Sequence, residues 1–158
     1  MSLNSTPGTW VAGNVVTAAQ MNFEVRDSFA GIQAAWDTWA PTLTNFTGAG
    51  TWCKYLRIGH IVFVQCLITL NAAPTGQMRI SLPFPVVASH PSVHAAAIGN
   101  AEALDAGVTA YPGIVDVFSS TDVYFKSTAA ANAIWAATVP FTWGNGDQVG
   151  FNATYQCA

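Results

Sequence analysis

Charge is what this sequence has least of. Only 8% of its residues are Asp, Glu, Lys or Arg, against about 25% in an ordinary soluble domain. Lys and Arg number 5, Asp and Glu 8, and the net charge is −3. The basic residues form no cluster, so phosphate-led binding of nucleic acid is not expected. Long hydrophobic runs are also missing. The longest, Ile61 to Leu70, is broken by Gln65 and Thr69 and falls short of the roughly 20 residues a spanning helix needs. No membrane insertion is expected. The opening "MSLNSTPGTW" has no basic residue and no apolar core, so it does not read as a secretory signal. Cysteine is scarce, at Cys53, Cys66 and Cys157, and an odd count leaves at least one thiol free within a chain.

What is there is apolar and small. Hydrophobic residues make up 51% of 158. That length suits one domain, with a core large enough to fold without disulfides or metals. The surface must then be built mostly of Ser, Thr, Asn, Gln, Gly and Ala, with little charge to oppose association. Burial of the apolar excess against copies of the same chain, a homo-oligomer, is expected.

The chain divides at about residue 40. Residues 1–16 are punctuated by Pro7, Gly8 and Gly13 as a loop. Thr17 reads as a helix N-cap, with Gln20 placed to complete a capping box. Beyond it Met21, Val25, Phe29, Ile32 and Trp36 are spaced four, four, three and four apart, a single apolar stripe on a helix. The stripe must meet either the body of the domain or the same stripe on neighbouring copies. Pro41 ends this region, and the pattern changes to period two.

Residues 41–158 read as seven or eight short strands, an antiparallel β-sandwich or jelly roll. Lys54–Ile58 and Ile61–Leu70 form a hairpin about Gly59-His60, which suits a type II′ turn. That register sets Ile58 against Ile61 and, counting outward, Cys53 against Cys66, either as two small buried residues or as a cross-strand disulfide. Met78, Ile80 and Leu82 alternate with Arg79 and Ser81. His94–Ile98 is a further strand, and Ile114–Phe118 and Val123–Lys126 flank a turn at "SSTD". In "QVGFNATYQC" Val149, Phe151, Ala153 and Tyr155 point one way and Asn152, Thr154 and Gln156 the other. "STAAANAIWAA" fits a loop or a strand.

Several strings carry a resemblance. "TW-x2-G-x2-VTAAQMN-x3-RD" at Thr9–Asp27 resembles the opening of small tail-associated proteins of bacteriophages and prophages, especially those of actinobacteria. "WAPTLT" at Trp39–Thr44, "KYLRIGHIVFVQC" at Lys54–Cys66, "RISLPFP" at Arg79–Pro85 and "NATYQ" at Asn152–Gln156 are similar to the heads of phage tail fibres and minor tail proteins. Residues 86–148 match only in texture. The resemblance implies a trimeric β-sandwich head with its N-terminal helix on the three-fold axis. It implies a virion protein, exposed on the particle and in contact with other virion proteins, that meets a host-surface glycan. Trp10 and Val11 would dock the chain to the particle, and the stripe Met21, Val25, Phe29, Ile32 and Trp36 would pack about the axis. Long fibres carry shafts and this chain has none, which turns the expectation toward a short knob. A structural capsid fibre or decoration is the alternative, and a tail-borne glycan hydrolase the third reading.

Catalytic strings are absent. There is no G-x-S-x-G elbow and no phosphate loop with Lys. A glycosidase needs only two carboxylates about 5–9.5 Å apart, and Asp105 with Asp116 or Asp122 is the cheapest pairing. No catalytic residue, cofactor or metal is expected. His60, His90 and His94 read as solvated loop residues, although one His per chain on a trimer axis would give a metal three ligands. Glycan binding needs an exposed aromatic face with amides or carboxylates beside it. "FTWGNGDQ" offers Trp143 with Asn145 and Asp147, and Trp135 and Tyr111 are further candidates. Trp52, beside Gly48-Ala49-Gly50, is a lesser one. The alternative is that Trp143 is a core residue at a strand end and its loop only a hairpin turn.

Overall fold

The structure is a computed structural model that describes residues 13, 15, 17–21, 36–89, 97–128 and 133–158. Helix α1 covers Ala18–Met21. It opens with the expected capping box: the Gln20 amide donates to Thr17 Oγ1 at 3.2 Å, and the Thr17 amide donates to Gln20 Oε1 at 2.9 Å. Nine strands follow among the described residues: β1 Asp37–Thr38, β2 Leu43–Thr44, β3 Gly48–Ile58, β4 Ile61–Leu70, β5 Arg79–Ser81, β6 Ala97–Asp105, β7 Thr109–Val117, β8 Asp122–Ser127 and β9 Gln148–Gln156. Their hydrogen bonds join them into one antiparallel sheet in the order β1-β3-β4-β9-β6-β7-β8-β5-β2. The chain is mainly β, and its sheet curls into a half-barrel. β1 pairs with β3 through Asp37↔Tyr55 and Thr38↔Lys54, so the sheet starts just before the division at residue 40.

The β3–β4 hairpin forms in the register read from the sequence. Ile58 faces Ile61 and Cys53 faces Cys66, about a turn in which Gly59 has φ 60°, the sign that a primed hairpin turn requires at its first central position. Antiparallel pairs alternate between hydrogen-bonded and non-hydrogen-bonded. Counting from the bonded pair at the turn puts Cys53 and Cys66 at a non-bonded one. The Cys53 carbonyl accordingly faces away from β4 and accepts from the Trp39 amide at 3.2 Å. Both thiols are buried and unlinked. The hydrogen bond between them pushes Cys66 up, with burial adding to it, and pulls Cys53 down.

Alternation then decides the core. Val62, Val64, Cys66, Ile68 and Leu70 of β4 and Val149, Phe151, Ala153 and Tyr155 of β9 all point inward and are buried. Curling brings distant strands together on this inner face. β8 and β9 are separated by β6 and β7, yet the rings of Phe125 and Phe151 lie 5.5 Å apart. Tyr155 ties β9 to the segment after β5, donating its hydroxyl to the Phe84 carbonyl at 2.9 Å. Burial raises its pKa.

The β6–β7 hairpin departs from the expected pattern. The strand expected over His94–Ile98 begins at Ala97 and runs on to Asp105; residues 90–96 lie outside the described residues. Its inward positions are Ala101 and Ala103, too small to announce a core face by hydropathy. At Gly99 the backbones approach so closely that a Cβ would lie 1.8 Å from the Asn152 carbonyl oxygen. Glycine is required there by space, beside a bulge between Ala97 and Gly99.

Candidate ligand-binding face

The loop expected to meet a glycan is part of the core. Trp143 is 2% exposed and Trp135 0%, so neither offers a ring to a sugar. Trp143 packs on Phe141 at 4.4 Å and on Trp135 at 5.8 Å between centroids, and Tyr111 stacks on Phe141 at 5.1 Å. These rings form one aromatic plug within the curled sheet. The Trp143 indole donates to the Val139 carbonyl at 2.8 Å. Asp147 is 5% exposed, and its carboxylate is engaged. Oδ2 accepts from the Gly144 amide at 2.6 Å and Oδ1 from the Ala106 amide at 2.9 Å. Asp147 therefore closes the turn and ties it to the β6–β7 tip. Only Asn145 of the loop set is exposed. The hairpin-turn alternative describes this loop, because stacking aromatics and satisfying a buried carboxylate use up the groups a sugar would need.

The outer face of the sheet carries a different constellation. Residues directly opposite one another make two parallel rows across β3, β4, β9 and β6. One row is Lys54, Gln65, Asn152 and Asn100; the next is Trp52, Leu67, Gly150 and Glu102. Period two places them here, because their neighbours Cys53, Cys66, Phe151 and Ala101 fill the core. Trp52 is 52% exposed, and Lys54 Nζ sits over its ring, 4.7 Å from the centroid. Gln65, Asn152, Asn100 and Glu102 are exposed, and none of their side chains has a hydrogen-bond or ion-pair partner among the described residues. Gly150 has no side chain, so the second row is low at its middle, where Leu67 Cδ1 comes within 3.6 Å of the place a Cβ would take. All members of the two rows except Lys54 line an open depression of about 460 Å³. An aromatic ring, amides and a carboxylate converge here without engaging one another. Amide NH₂ donors, amide and carboxylate acceptors and an apolar ring face together suit a polyhydroxylated ligand.

The register separates Asp105 from the carboxylates it was expected to join: Asp105 is opposite Thr109 at one end of the β6–β7 hairpin, and Asp116 is opposite Ala97 at the other. Asp116 is 2% exposed and forms a buried ion pair with Lys126. Tyr124 also donates to Asp116, at 3.3 Å. Burial lowers the Lys126 pKa, but Asp116 and Tyr124 more than offset this and leave it raised. Asp122 accepts from Ser119 at 2.8 Å and Thr121 at 3.1 Å within the β7–β8 turn. No group of three or more metal-ligating side chains occurs among the described residues. His60 is exposed at the β3–β4 turn; His90 and His94 lie outside the described residues.

So do Trp10, Val11, Val25, Phe29 and Ile32, the docking pair and most of the stripe. The stripe's two described members, Met21 and Trp36, are 48% and 37% exposed. No helix among the described residues is long and apolar enough to cross a membrane.

Fold and face together define an antiparallel, mainly-β protein with an exposed polar-aromatic sheet surface. No family model matches the chain, and comparison with curated proteins and with solved structures finds no match.

Proposed function

We propose that this chain is a non-enzymatic bacteriophage virion protein, a tail-associated knob that binds host-surface glycan through the outer face of its sheet. The observation that carries the reading is the unengaged set beside Trp52: three free amides and a free carboxylate next to a half-exposed indole. These groups are exposed and have no partner among the described residues, so they can exchange water for the hydroxyls of a ligand. The resemblance of Thr9–Asp27, Lys54–Cys66 and Arg79–Pro85 to phage tail proteins supports the virion assignment. The curled sheet, whose halves share one core, serves as the sandwich-like head.

A homotrimer fits the low charge and the N-terminal stripe. It also fits an apolar patch on the outer face near the β3–β4 turn, where Leu56 pairs with Phe63 and Ile58 with Ile61. Ile61 is 40% exposed. Ile32→Asp is expected to turn trimer into monomer by sedimentation while leaving the β-sheet circular dichroism unchanged. A variant that stays trimeric removes the helix from the assembly.

The test of function is competition. Purified protein should block adsorption of its particles to host cells, and Trp52→Ala should lose that block while staying folded. Gold-labelled antibody should mark the tail tip or baseplate. Label over the capsid, with no competition, returns the chain to the decoration reading.

A further inference from the structure

Resting on the glycan-binding reading, we infer that the outer face takes an internal segment of a neutral, linear polysaccharide laid across the strands. A single sugar or a chain end is not its ligand. The row geometry sets the direction. Gln65, Asn152 and Asn100 lie directly opposite one another on β4, β9 and β6. Neighbouring strands are about 4.8 Å apart, so an amide recurs at each step, over about 10 Å from the first to the last. Including Trp52 and Lys54 on β3, the surface extends over about 14 Å, longer than one pyranose ring. The low point at Gly150 lies beside the amides between Leu67 and Glu102.

The lack of walls argues against a chain end. Recognition of a terminal sugar needs groups that close around it. Here Gln65, Asn152, Asn100 and Glu102 are all exposed, and the depression is open, so a chain passes through and continues on both sides. Each amide presents a carbonyl acceptor and an NH₂ donor, which matches hydroxyl or acetamido groups at a repeating spacing. Trp52 supplies the apolar surface for one sugar face.

Charge selects a neutral chain. Lys54 is the cation of the face and lies over the Trp52 ring. Glu102 stands at the opposite end of the rows, on β6, so the face carries one charge of each sign. A polyanion would find one engaged cation and be repelled by Glu102. A neutral chain meets no unpaired charge of the wrong sign.

The test is an array of linear glucose, mannose, galactose and N-acetylglucosamine oligomers of one to six sugars, with oligogalacturonates as the acidic series, followed by titration calorimetry. For one neutral series, affinity should rise at least about tenfold between one and three sugars and then level off, with little dependence on salt. Asn152→Ala, at the centre of the row, should flatten that length dependence without moving the melting temperature. A single sugar bound as tightly as its hexamer, or preference for the acidic series, overturns this inference and leaves glycan binding standing. No binding to any oligomer, together with undiminished competition by Trp52→Ala on host cells, overturns both.

Discussion

Trp135 and Trp52 are the same residue placed on opposite sides of one sheet. Trp135 stacks on Phe125 at 5.2 Å inside the curl and is fully buried. Trp52 stands on β3 with half its surface in solvent and a lysine over its ring. Both lie in stretches rich in small residues, and both were candidates for the same task. The difference lies in what the backbone on either side does. Trp52 alternates with Cys53, which takes the inward position. Trp135 follows a segment bonded to the end of β8, its amide donating to the Phe125 carbonyl at 2.9 Å, and so is delivered to the core. A tryptophan's exposure in this fold follows from the face to which the backbone pairing around it delivers the ring.

The comparison can be broken from either side. The largest effect is expected at the plug: Trp135→Ala should destabilise the fold by about 3–5 kcal/mol in chemical denaturation. Its indole nitrogen has no hydrogen-bond partner, so Trp135→Phe should cost far less, because it removes an unsatisfied donor along with some volume. A similar loss, about 3–5 kcal/mol, is expected for Lys126→Met, which leaves the buried Asp116 uncompensated.

Asp147→Asn comes next. It removes the charge from two amide hydrogen bonds and should cost about 1.5–3 kcal/mol, with ligand binding intact. Lost binding at full stability in this variant would restore the loop as the site.

A milder effect is set by pH. Lys126 and Tyr155 both have folded-state pKa values above their ordinary ones. The folded state then holds these protons more tightly than the unfolded one. Their contribution is complete below the unfolded values of about 10 and is lost as pH rises through the folded ones. Melting temperature should fall above about pH 10, and Tyr155→Phe should flatten part of that fall. The smallest effect on stability is expected for Trp52→Ala, within about 0.5 kcal/mol as for exposed sites generally, even as adsorption competition disappears. A large loss of stability there would make Trp52 a packing residue.

Much of the sheet was legible in the chain. The β3–β4 register, the inward set of β9 and the Thr17–Gln20 cap follow from spacing alone, because a two-residue turn and strict alternation leave one solution. The β6–β7 hairpin was legible only at one end, where Ile98 and Ile114–Val117 fall in expected strands. The inward residues of β6 are alanines, and Gly99 and Pro112 read as loop until their neighbours are known. The site was partly legible. Trp52 was a lesser candidate, and the amides at Gln65 and Asn152 could be assigned to the outward face of their strands. Asn100 and Glu102 could not, since the strand expected over His94–Ile98 stops short of them. Trp143 misled because a tryptophan before Gly-Asn-Gly-Asp has the composition of a binding loop, and composition does not register burial.

The sequence by itself determined the class: low charge, period-two alternation and turn chemistry specify an antiparallel β chain with a buried face and a polar one. Tertiary structure alone decided which polar residues share a surface. Lys54 and Gln65 share one hairpin, but Asn152 and Asn100 come from strands far from it in the chain, and hydrogen-bond register aligns all four across β3, β4, β9 and β6. Strand order is a long-range choice made by the whole core at once, and no local pattern encodes it.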